Sequence, residues 1–485
     1  MLKISRIKIW LFCSLGLLFL SSVTQAYTDI AVQASGAPLK FQNFSSSSPL
    51  SWNPETGAVQ DTSSTHNFHQ SFSEYQSFCS GSSGGSGSCS LDPLIRDAMA
   101  SSAASNQEGI DLINSAFSIW KTQATDASVS YAQGSSLGAD VGVCNYPDYI
   151  DSAISQFAIN GNSNDARVCG CLGTCSKACT NPVVFDANGD IIALENGEGN
   201  RYAILGSAGP IIWPGVDHFL KFEAIINGVC LDNSPDSGCS SSYTNDQLLS
   251  VMVHELGHAQ GLGHTQVNAK SIGYTGGTAT DPAGSAYLVS TATWGVAGAV
   301  PTMYPALVSG DTQSSLTMDD KIGLAHLYPA SSLSSGYCTL QGSVFQSTAA
   351  LRCVEVVFRD SSSTVLNSVG VLSGMEVANN GGSFTSTANP ATNTCSESNT
   401  LNCGKYTAYV PAGKTYNIEV NALPNFAAGS TIGPCSTNPS FTSVNQTTGW
   451  LIKTNNSVVC ATGGTTITSS TDADLSITVN ASPPY

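Results

Sequence analysis

Charged residues are scarce in this chain, and positive charge is the scarcer sign. Only 11% of its 485 residues are charged, and 17 Lys and Arg stand against 34 Asp and Glu. A surface with this balance repels nucleic-acid phosphates and anionic lipid headgroups, so the composition argues against a nucleic-acid-binding protein. Long stretches of Ser, Thr, Asn and Gly separate the charges, as is usual in exported proteins.

Long apolar runs are also missing after the first 26 residues. Those residues begin with Lys3, Arg6 and Lys8, continue through the apolar stretch 9–20 and end at Ala26. This order predicts a secretory signal peptide over 1–26, because a membrane span needs roughly 20 apolar residues. We therefore expect a secreted, extracellular protein with no membrane span after cleavage. Its formal net charge of −17 would become more negative by three.

Cysteine, in contrast, is plentiful. Cys13 would leave with the signal peptide, and in an exported chain the other cysteines should mostly form disulfides. Six of them follow residue 330 and can pair among themselves. Nine precede it, so this odd set implies a free thiol, a bond between regions or a link to another chain. Within the set, Cys79 and Cys89 bracket a Ser/Gly tract that we predict to be a stapled loop.

A second cysteine cluster has two interpretations. Four cysteines in "CGCLGTCSKAC" have a spacing similar to that of a zinc knuckle. The exported context favours disulfides instead. The four residues are Cys169, Cys171, Cys175 and Cys179.

The length of the chain favours two or three domains. Residues 27–104 are polar and irregular, and they are either a removable propeptide or the first strands of the next domain. The Ser-rich linker 331–336 separates a domain over 105–330 from a second domain over 337–485. Short Val/Ile/Thr/Tyr runs between turns predict an all-β sandwich for the second domain.

Local signals in the first domain predict two helices and a hairpin. Residues 105–123 carry a capping box from Ser105 to Glu108 and one apolar stripe, and a second helix begins after the N-cap Thr244. Asn188-Gly189, flanked by apolar alternation, predicts a β-hairpin.

Calcium is the alternative at this hairpin. Asp186, Asn188 and Asp190 offer the oxygens that open a Ca²⁺ loop. Ile191 and Gly197 stand where such a loop needs Gly and Glu, so the hairpin is the favoured interpretation.

Histidine is rare, yet three of the seven fall within "HELGHAQGLGH", residues 254–264. His254 and His258 lie four apart and share one helix face, with Glu255 beside them. Gly261 can adopt positive φ, end the helix and return the chain so that His264 joins the pair. Three neutral imidazoles leave a fourth position open, which is the catalytic rather than the structural arrangement of Zn²⁺.

The motif resembles that of the metzincin metalloproteases, and its details resemble the matrixins. Thr265 follows the third histidine, "PTMYP" contains Met303 in a sequence similar to the Met-turn, and "LTMDDKIGLAHLYP" is similar to the closing helix. The resemblance covers about residues 105–330. It implies an α+β fold, in which a twisted and mostly parallel sheet carries the active-site helix.

The resemblance also implies a role for each matched residue. His254, His258 and His264 would bind one zinc ion, and Glu255 would act as general base and pass its proton to the leaving amine. Met303 would form the floor of the site. Asp319 and Asp320 would tie the last helix to the rest of the domain, although acidic residues that stabilise a helix N-terminus are an equal interpretation.

Some features depart from the family. The stretch between His264 and Met303 is long, so specificity cannot be transferred. Tyr304 directly follows Met303 and does not match the tyrosine ligand of some metzincins. No histidines match a second zinc site, since His66, His69 and His218 are scattered and His326 is expected to pack in the last helix. Cys79 or Cys89 could block the zinc as a propeptide thiolate, but their surroundings do not match the family's switch sequence.

The C-terminal domain resembles the prealbumin-like sandwiches that follow many secreted peptidases, in "GSVFQSTAALRCVEVVFRD" and "GKYTAYVPAGKTYNIEV". This likeness predicts a fold but no ligand.

The sequence thus predicts a secreted zinc endopeptidase that hydrolyses peptide bonds of extracellular proteins, with protein or peptide substrates. One alternative is a surface-binding, adhesin-like protein whose sandwich carries the function, for which residues 337–485 alone would bind the target. Another is a metal-scavenging protein, which would hold several metal ions per chain.

Overall fold

The computed structural model describes parts of both predicted domains. The described residues are 40–42, 48–55, 107–137, 141, 146, 149–150, 171, 179–186, 189–212, 218–231, 238–239, 243–265, 267, 300–304, 307, 313–346, 349–350, 354–361, 367–372, 377–378, 384–385, 388–389, 394–395, 405–422, 451–460 and 477–479. The predicted signal peptide, Cys79, Cys89 and most of the stretch between His264 and Met303 lie outside them.

A five-stranded sheet forms the centre of the first domain. Its strands are β1 (Leu50–Pro54), β2 (Tyr131–Gln133), β3 (Pro182–Asp186), β4 (Gly206–Ile212) and β5 (Phe219–Asn227). They are ordered β2-β1-β3-β5-β4, and every neighbouring pair is parallel except the antiparallel pair of β4 and β5. This mixed, mostly parallel sheet is compatible with the predicted α+β class.

The N-terminal segment supplies an interior strand of this sheet. β1 pairs with β2 on one side and with β3 on the other, and Trp52 is buried in the main core. Ahead of β1, the ring of Phe41 lies edge-on to Phe219 with 5.4 Å between centroids. After β1, the buried Glu55 carboxylate accepts the backbone N–H groups of Val141 and Phe185. These contacts make residues 40–42 and 48–55 an integral part of the domain.

The hairpin predicted at Asn188-Gly189 is wrong. β3 runs parallel to both of its neighbours, so the chain after β3 does not return as an antiparallel strand beside it. It instead enters a short helix, α2 (Asp190–Asn196). The helix that precedes it in the chain, α1, spans Gln107–Gln123. Gly189, with φ of 69°, supplies the left-handed residue before α2 rather than a hairpin turn. Ile191 and Ile192 then bury against the sheet in a second core. Asn188 lies outside the described residues.

The two helices predicted in the first domain are present. In α1, Ile113, Phe117 and Trp120 are buried, as the apolar stripe predicts, while Ser105 lies outside the described residues. The second is α3 (Asn245–Ala259), which begins with the predicted capping box of Thr244 and Gln247. The two helices pack together on one face of the sheet, where Trp120 Nε1 donates to the carbonyl of Val253 at 2.8 Å.

Two short helical segments and one longer helix complete the first domain and lead into the second. The 3₁₀ turn Glu198–Asn200 follows α2. The longer helix is α4 (Met318–Leu327), whose capping box joins Thr317 and Asp320. The last segment, α5 (Leu333–Gly336), occupies most of the predicted linker, and the first sandwich strand begins at Tyr337.

The described residues after 336 form strands and turns. The strands are β6 (Tyr337–Gln346), β7 (Ala349–Ala350), β8 (Val354–Asp360), β9 (Ser368–Leu372), β10 (Val377–Ala378), β11 (Phe384–Thr385), β12 (Ala388–Asn389), β13 (Thr394–Cys395), β14 (Lys405–Pro411), β15 (Lys414–Ala422), β16 (Leu451–Cys460) and β17 (Ile477–Val479). One four-stranded sheet has the order β14-β6-β17 with β7 beside β6, and the other has the order β16-β15-β8-β9. Both sheets contribute to one hydrophobic core, which gives a sandwich.

Three disulfides join described cysteines, as the exported context predicts. They are Cys171–Cys179, Cys230–Cys239 and Cys338–Cys460. The first takes two members of the candidate zinc-knuckle cluster into a disulfide, and Cys169 and Cys175 lie outside the described residues. The third closes within the sandwich. Among the described residues, no helix is long and apolar enough to cross a membrane.

A truncation distinguishes the two interpretations of the N-terminal segment. A chain that begins at residue 105 lacks β1, so it should lose its cooperative unfolding transition, because the sheet is split at an interior strand. A chain that begins at residue 38 keeps β1 and should unfold like the chain that begins at residue 27. Urea unfolding followed by tryptophan fluorescence measures both. Equal stability of the three chains would show that the segment is a removable propeptide.

Candidate metal centre

Helix α3 and the turn after it bring the three motif histidines together. The Nε2 atoms of His258 and His264 lie 3.0 Å and 3.1 Å from Nε2 of His254. All three candidate ligand atoms lie within 4.8 Å of one another, and this is the one His/Cys/Asp/Glu group of that kind among the described residues. Nitrogens bound tetrahedrally to zinc at 2.0–2.1 Å are roughly 3.3 Å apart, so the spacing fits one ion.

Hydrogen bonds on the far side of two rings fix which nitrogen faces the site. Nδ1 of His254 donates to the carbonyl of Thr302 at 2.7 Å, and Nδ1 of His258 donates to the carbonyl of Leu262 at 2.8 Å. Each neutral ring therefore presents an unprotonated Nε2, and these two lone pairs face each other with no hydrogen between them. A cation between the rings removes this repulsion, so the donor set fits a metal.

Burial keeps the imidazoles in the neutral form that a metal needs. Burial lowers the pKa of His254 to about 4, although the hydrogen bond to the Thr302 carbonyl acts in the opposite direction. Burial, followed by the neighbouring histidines, also holds the pKa values of His258 and His264 well below the usual range. The rings of the metal-free site are therefore neutral at pH 7.

Gly261 ends the helix in the way the sequence predicts. Its φ is 103°, a conformation that favours glycine, and a Cβ there would lie 2.5 Å from the Phe219 ring. The N–H of Leu262 then bonds to the carbonyl of Gly257 at 3.0 Å, which turns the chain towards His264. The glycine is thus required both for its backbone angle and for its close contact.

Met303, which the resemblance implies as the floor of the site, packs against the histidine-bearing helix at Gly257. It is buried, and a Cβ at Gly257 would lie 2.2 Å from its sulfur, so the thioether packs directly on the helix backbone. The loop of Met303 also carries the Thr302 carbonyl that orients His254. That carbonyl and Gly257 were not predicted, because a backbone acceptor and a close contact have no signature of their own in sequence.

Glu255 sits beside the histidines as a buried carboxyl group. Its Oε2 has no hydrogen-bond partner among the described residues, and burial raises its pKa to about 8. The first residue of β4, Gly206, leaves room for this group, since a Cβ there would lie 2.6 Å from Cγ of Glu255. Gly206 is a further site residue that the sequence did not indicate.

The calcium candidates belong to a different set of contacts. Asp190 forms an ion pair with Arg201, and Oδ2 of Asp186 accepts the N–H of Ile192 at 2.9 Å. Burial and the neighbouring Asp190 raise the pKa of Asp186 to about 7, which opposes the charged form that calcium prefers. Calcium binding here stays a prediction that the described contacts do not favour.

The remaining histidines of the described chain stay outside the cluster. His326 is partly buried in α4, where its ring lies 5.2 Å from that of Tyr409, so it packs as expected. His218 lies next to β5 and does not belong to the group. Tyr304, directly after Met303, is buried.

No protein-family model, curated protein or solved structure matches the chain. The assignment of a function therefore depends on the residues of the site themselves.

The lowered pKa of His254 predicts a pH effect in the metal-free protein. Between pH 6.5 and about 4 the unfolded chain takes up a proton that the folded chain does not, so this group lowers the free energy of unfolding as the pH falls. In the presence of a chelator, the free energy of unfolding should fall between pH 7 and pH 5 in both proteins. The fall should be smaller in His254→Gln than in the wild type, by on the order of 1–2 kcal/mol. Urea titrations at both values measure this.

The comparison between the two proteins is necessary because other groups act in the opposite direction. The raised pKa values of Glu255 and Asp186 favour the folded state as the pH falls. Those groups are common to both proteins, so their contribution cancels. An identical loss of stability in the wild type and the variant would contradict a His254 that stays neutral in the folded protein at pH 5.

Proposed function

We propose that the protein is an exported zinc-dependent endopeptidase of the metzincin type, similar to the matrixins. The observation that carries this proposal is the convergence of three imidazole Nε2 atoms beside the buried carboxyl group of Glu255, whose Oε2 has no hydrogen-bond partner among the described residues. The histidines alone would suit any metal protein. The carboxyl group beside them is what hydrolysis needs and what simple metal storage does not.

The histidines would hold the ion through Nε2, with His254 and His258 oriented by the carbonyls of Thr302 and Leu262. A bound zinc would supply Lewis acidity, polarising the scissile carbonyl and lowering the pKa of the attacking water. Three candidate protein ligands converge among the described residues, so a four-coordinate ion held by them would keep one position for a water or a substrate oxygen.

Glu255 would move the proton. Its neighbour His254 points into the site, and the carboxyl group lies beside it, next to Gly206. Burial raises its pKa to about 8 in the metal-free site, which makes the carboxylate a stronger base than an exposed glutamate. The positive charge of a bound ion would favour the ionised form, which can accept a proton from water and pass it to the leaving amine. Glu255 is not a ligand in this scheme, so the loss of its charge should affect hydrolysis more than metal binding.

Strand β4 offers a place for the substrate. It is an edge strand of the described sheet, where it pairs with β5 alone. Its first residue, Gly206, contacts Glu255, so an extended peptide added along this edge would pass the site. Backbone pairing of this kind suits an endopeptidase, because it binds internal segments of a chain without requiring a terminus.

Other features support the same proposal. The mostly parallel sheet, the helix that carries the histidines and the closing helix α4 are what the resemblance to matrixins implies. The disulfides support export, because such bonds persist in oxidising compartments. The proposed substrates are extracellular proteins or peptides.

The variant Glu255→Gln tests this role of the carboxyl group. The amide keeps the shape of the side chain but cannot accept the proton, so casein cleavage should fall by about a hundredfold or more. The zinc content should stay at that of the wild type. Release of fluorescent casein fragments and metal analysis of the same preparation provide the two measurements.

Glu198→Gln is the matched control, since Glu198 is an exposed glutamate in the 3₁₀ turn, 53% accessible, where it pairs with Arg201. It should retain both zinc and activity. Full casein cleavage by Glu255→Gln would refute the assignment of Glu255, and activity that survives complete zinc removal would refute the proposed function.

A further inference from the structure

The first turn of α4 carries two adjacent aspartates that hold two different parts of the molecule. Asp320 accepts the N–H groups of Thr302 and Met303, each at 3.0 Å, and also caps its own helix through Thr317. It therefore fixes the loop whose carbonyl orients His254. Both interpretations of this residue hold, because it ties the helix to the domain and stabilises the helix N-terminus.

Asp319 connects the other side of the metal centre to the sandwich. It is buried, and its Oδ1 accepts the backbone N–H of Gly370 in β9 at 2.8 Å. Burial and the neighbouring Asp320 raise the pKa of Asp319, and a side-chain hydrogen bond from Thr265, the residue directly after His264, opposes this rise. One side chain thus joins the loop of the third candidate ligand to a strand of the second domain.

The position of Thr265 makes this connection stiff. The residue is fully buried, its N–H donates to the carbonyl of Met303 at 2.8 Å, and its hydroxyl accepts the N–H of Val267 at 3.2 Å. The loop therefore has little freedom to move without breaking its bond to Asp319. A displacement of His264 would therefore also disturb the contacts of Asp319.

The sandwich side of the connection is equally well packed. β9 is the edge strand of its sheet, and its Gly370 pairs with Val357 of β8 on one side and meets Asp319 on the other. From the same helix, Ile322 belongs to the core of the sandwich. The edge of β9 is thus covered by α4, and the two domains share a packed contact.

We propose that the β-sandwich helps to hold the third metal ligand, with Asp319 as the positioning residue that couples β9 to His264 through Thr265. This inference rests on metal binding by the three histidines, as in the proposed function, but not on peptide hydrolysis. Energetic coupling between two sites is reciprocal, so metal binding at the histidines should stabilise β9.

Hydrogen exchange in the full-length protein tests the coupling without measuring activity. Backbone amides in 367–372 and in 254–259 are followed by mass spectrometry, with one zinc per chain and with chelator. Zinc should slow exchange in both segments of the wild type, by about fivefold or more in 367–372. In Thr265→Val, which keeps the shape but lacks the hydroxyl, zinc should still protect 254–259 but no longer 367–372.

Two further variants provide the controls. Thr265→Ser restores the hydroxyl and should restore the protection of 367–372. Tyr337→Phe removes a different contact near the domain boundary, the 2.6 Å bond from the Tyr337 hydroxyl to Asp126, and should leave that protection unchanged. If Thr265→Val does not fold, Thr265→Ala removes the same hydroxyl without a bulky replacement.

The outcomes separate this inference from the proposed function. Zinc that binds and protects 254–259 but leaves 367–372 of the wild type unchanged would overturn the coupling alone. Persistent protection of 367–372 in the variants without the hydroxyl would overturn the role of Asp319 and Thr265. A wild-type chain that binds no zinc would overturn both the coupling and the proposed function. A wild-type protein that shows the expected exchange pattern but does not cleave casein would overturn the proposed function and leave the coupling standing.

Discussion

The Nε2 atoms of His254 and His258, both without protons, face each other at 3.0 Å, and the surrounding hydrogen bonds hold the two rings in this orientation. The carbonyls of Thr302 and Leu262 hold the protons of His254 and His258 on the far nitrogens. Burial keeps the rings neutral, so protonation of one of the facing nitrogens does not relieve the repulsion between their lone pairs. A divalent cation can, and the third histidine completes a set of ligands for it.

The supports of this arrangement converge on the first turn of α4. Asp320 holds the Met303 loop against the helix of the histidines, while Asp319 reaches Thr265 and the sandwich. The candidate metal centre, helix α4 and the described strands after residue 336 are therefore joined by one connected set of contacts. These contacts are the basis for the proposed part of the sandwich in holding the third histidine.

The sequence predicted those features that are encoded locally. The capping box at Thr244, the histidine spacing and the glycine that ends the helix each depend on residues within one or two turns. Asn188-Gly189 led to the wrong prediction of a β-hairpin, because this pair is also typical of other turns that need a left-handed residue. The chain enters a helix there, since both partners of β3 are parallel. The positions of β1 and Gly206 depend on contacts between distant segments, which no local pattern specifies. The same is true of the hydrogen bond from the Gly370 N–H to Asp319.

X-ray absorption spectroscopy of the zinc-loaded full-length protein identifies the ligands of the ion. We expect one zinc per chain with three imidazole nitrogens at about 2.0–2.1 Å and one further light atom, and a loss of tight binding in His264→Ala. Sulfur scattering at about 2.3 Å, which would place the zinc on cysteines, or four imidazole ligands would contradict it.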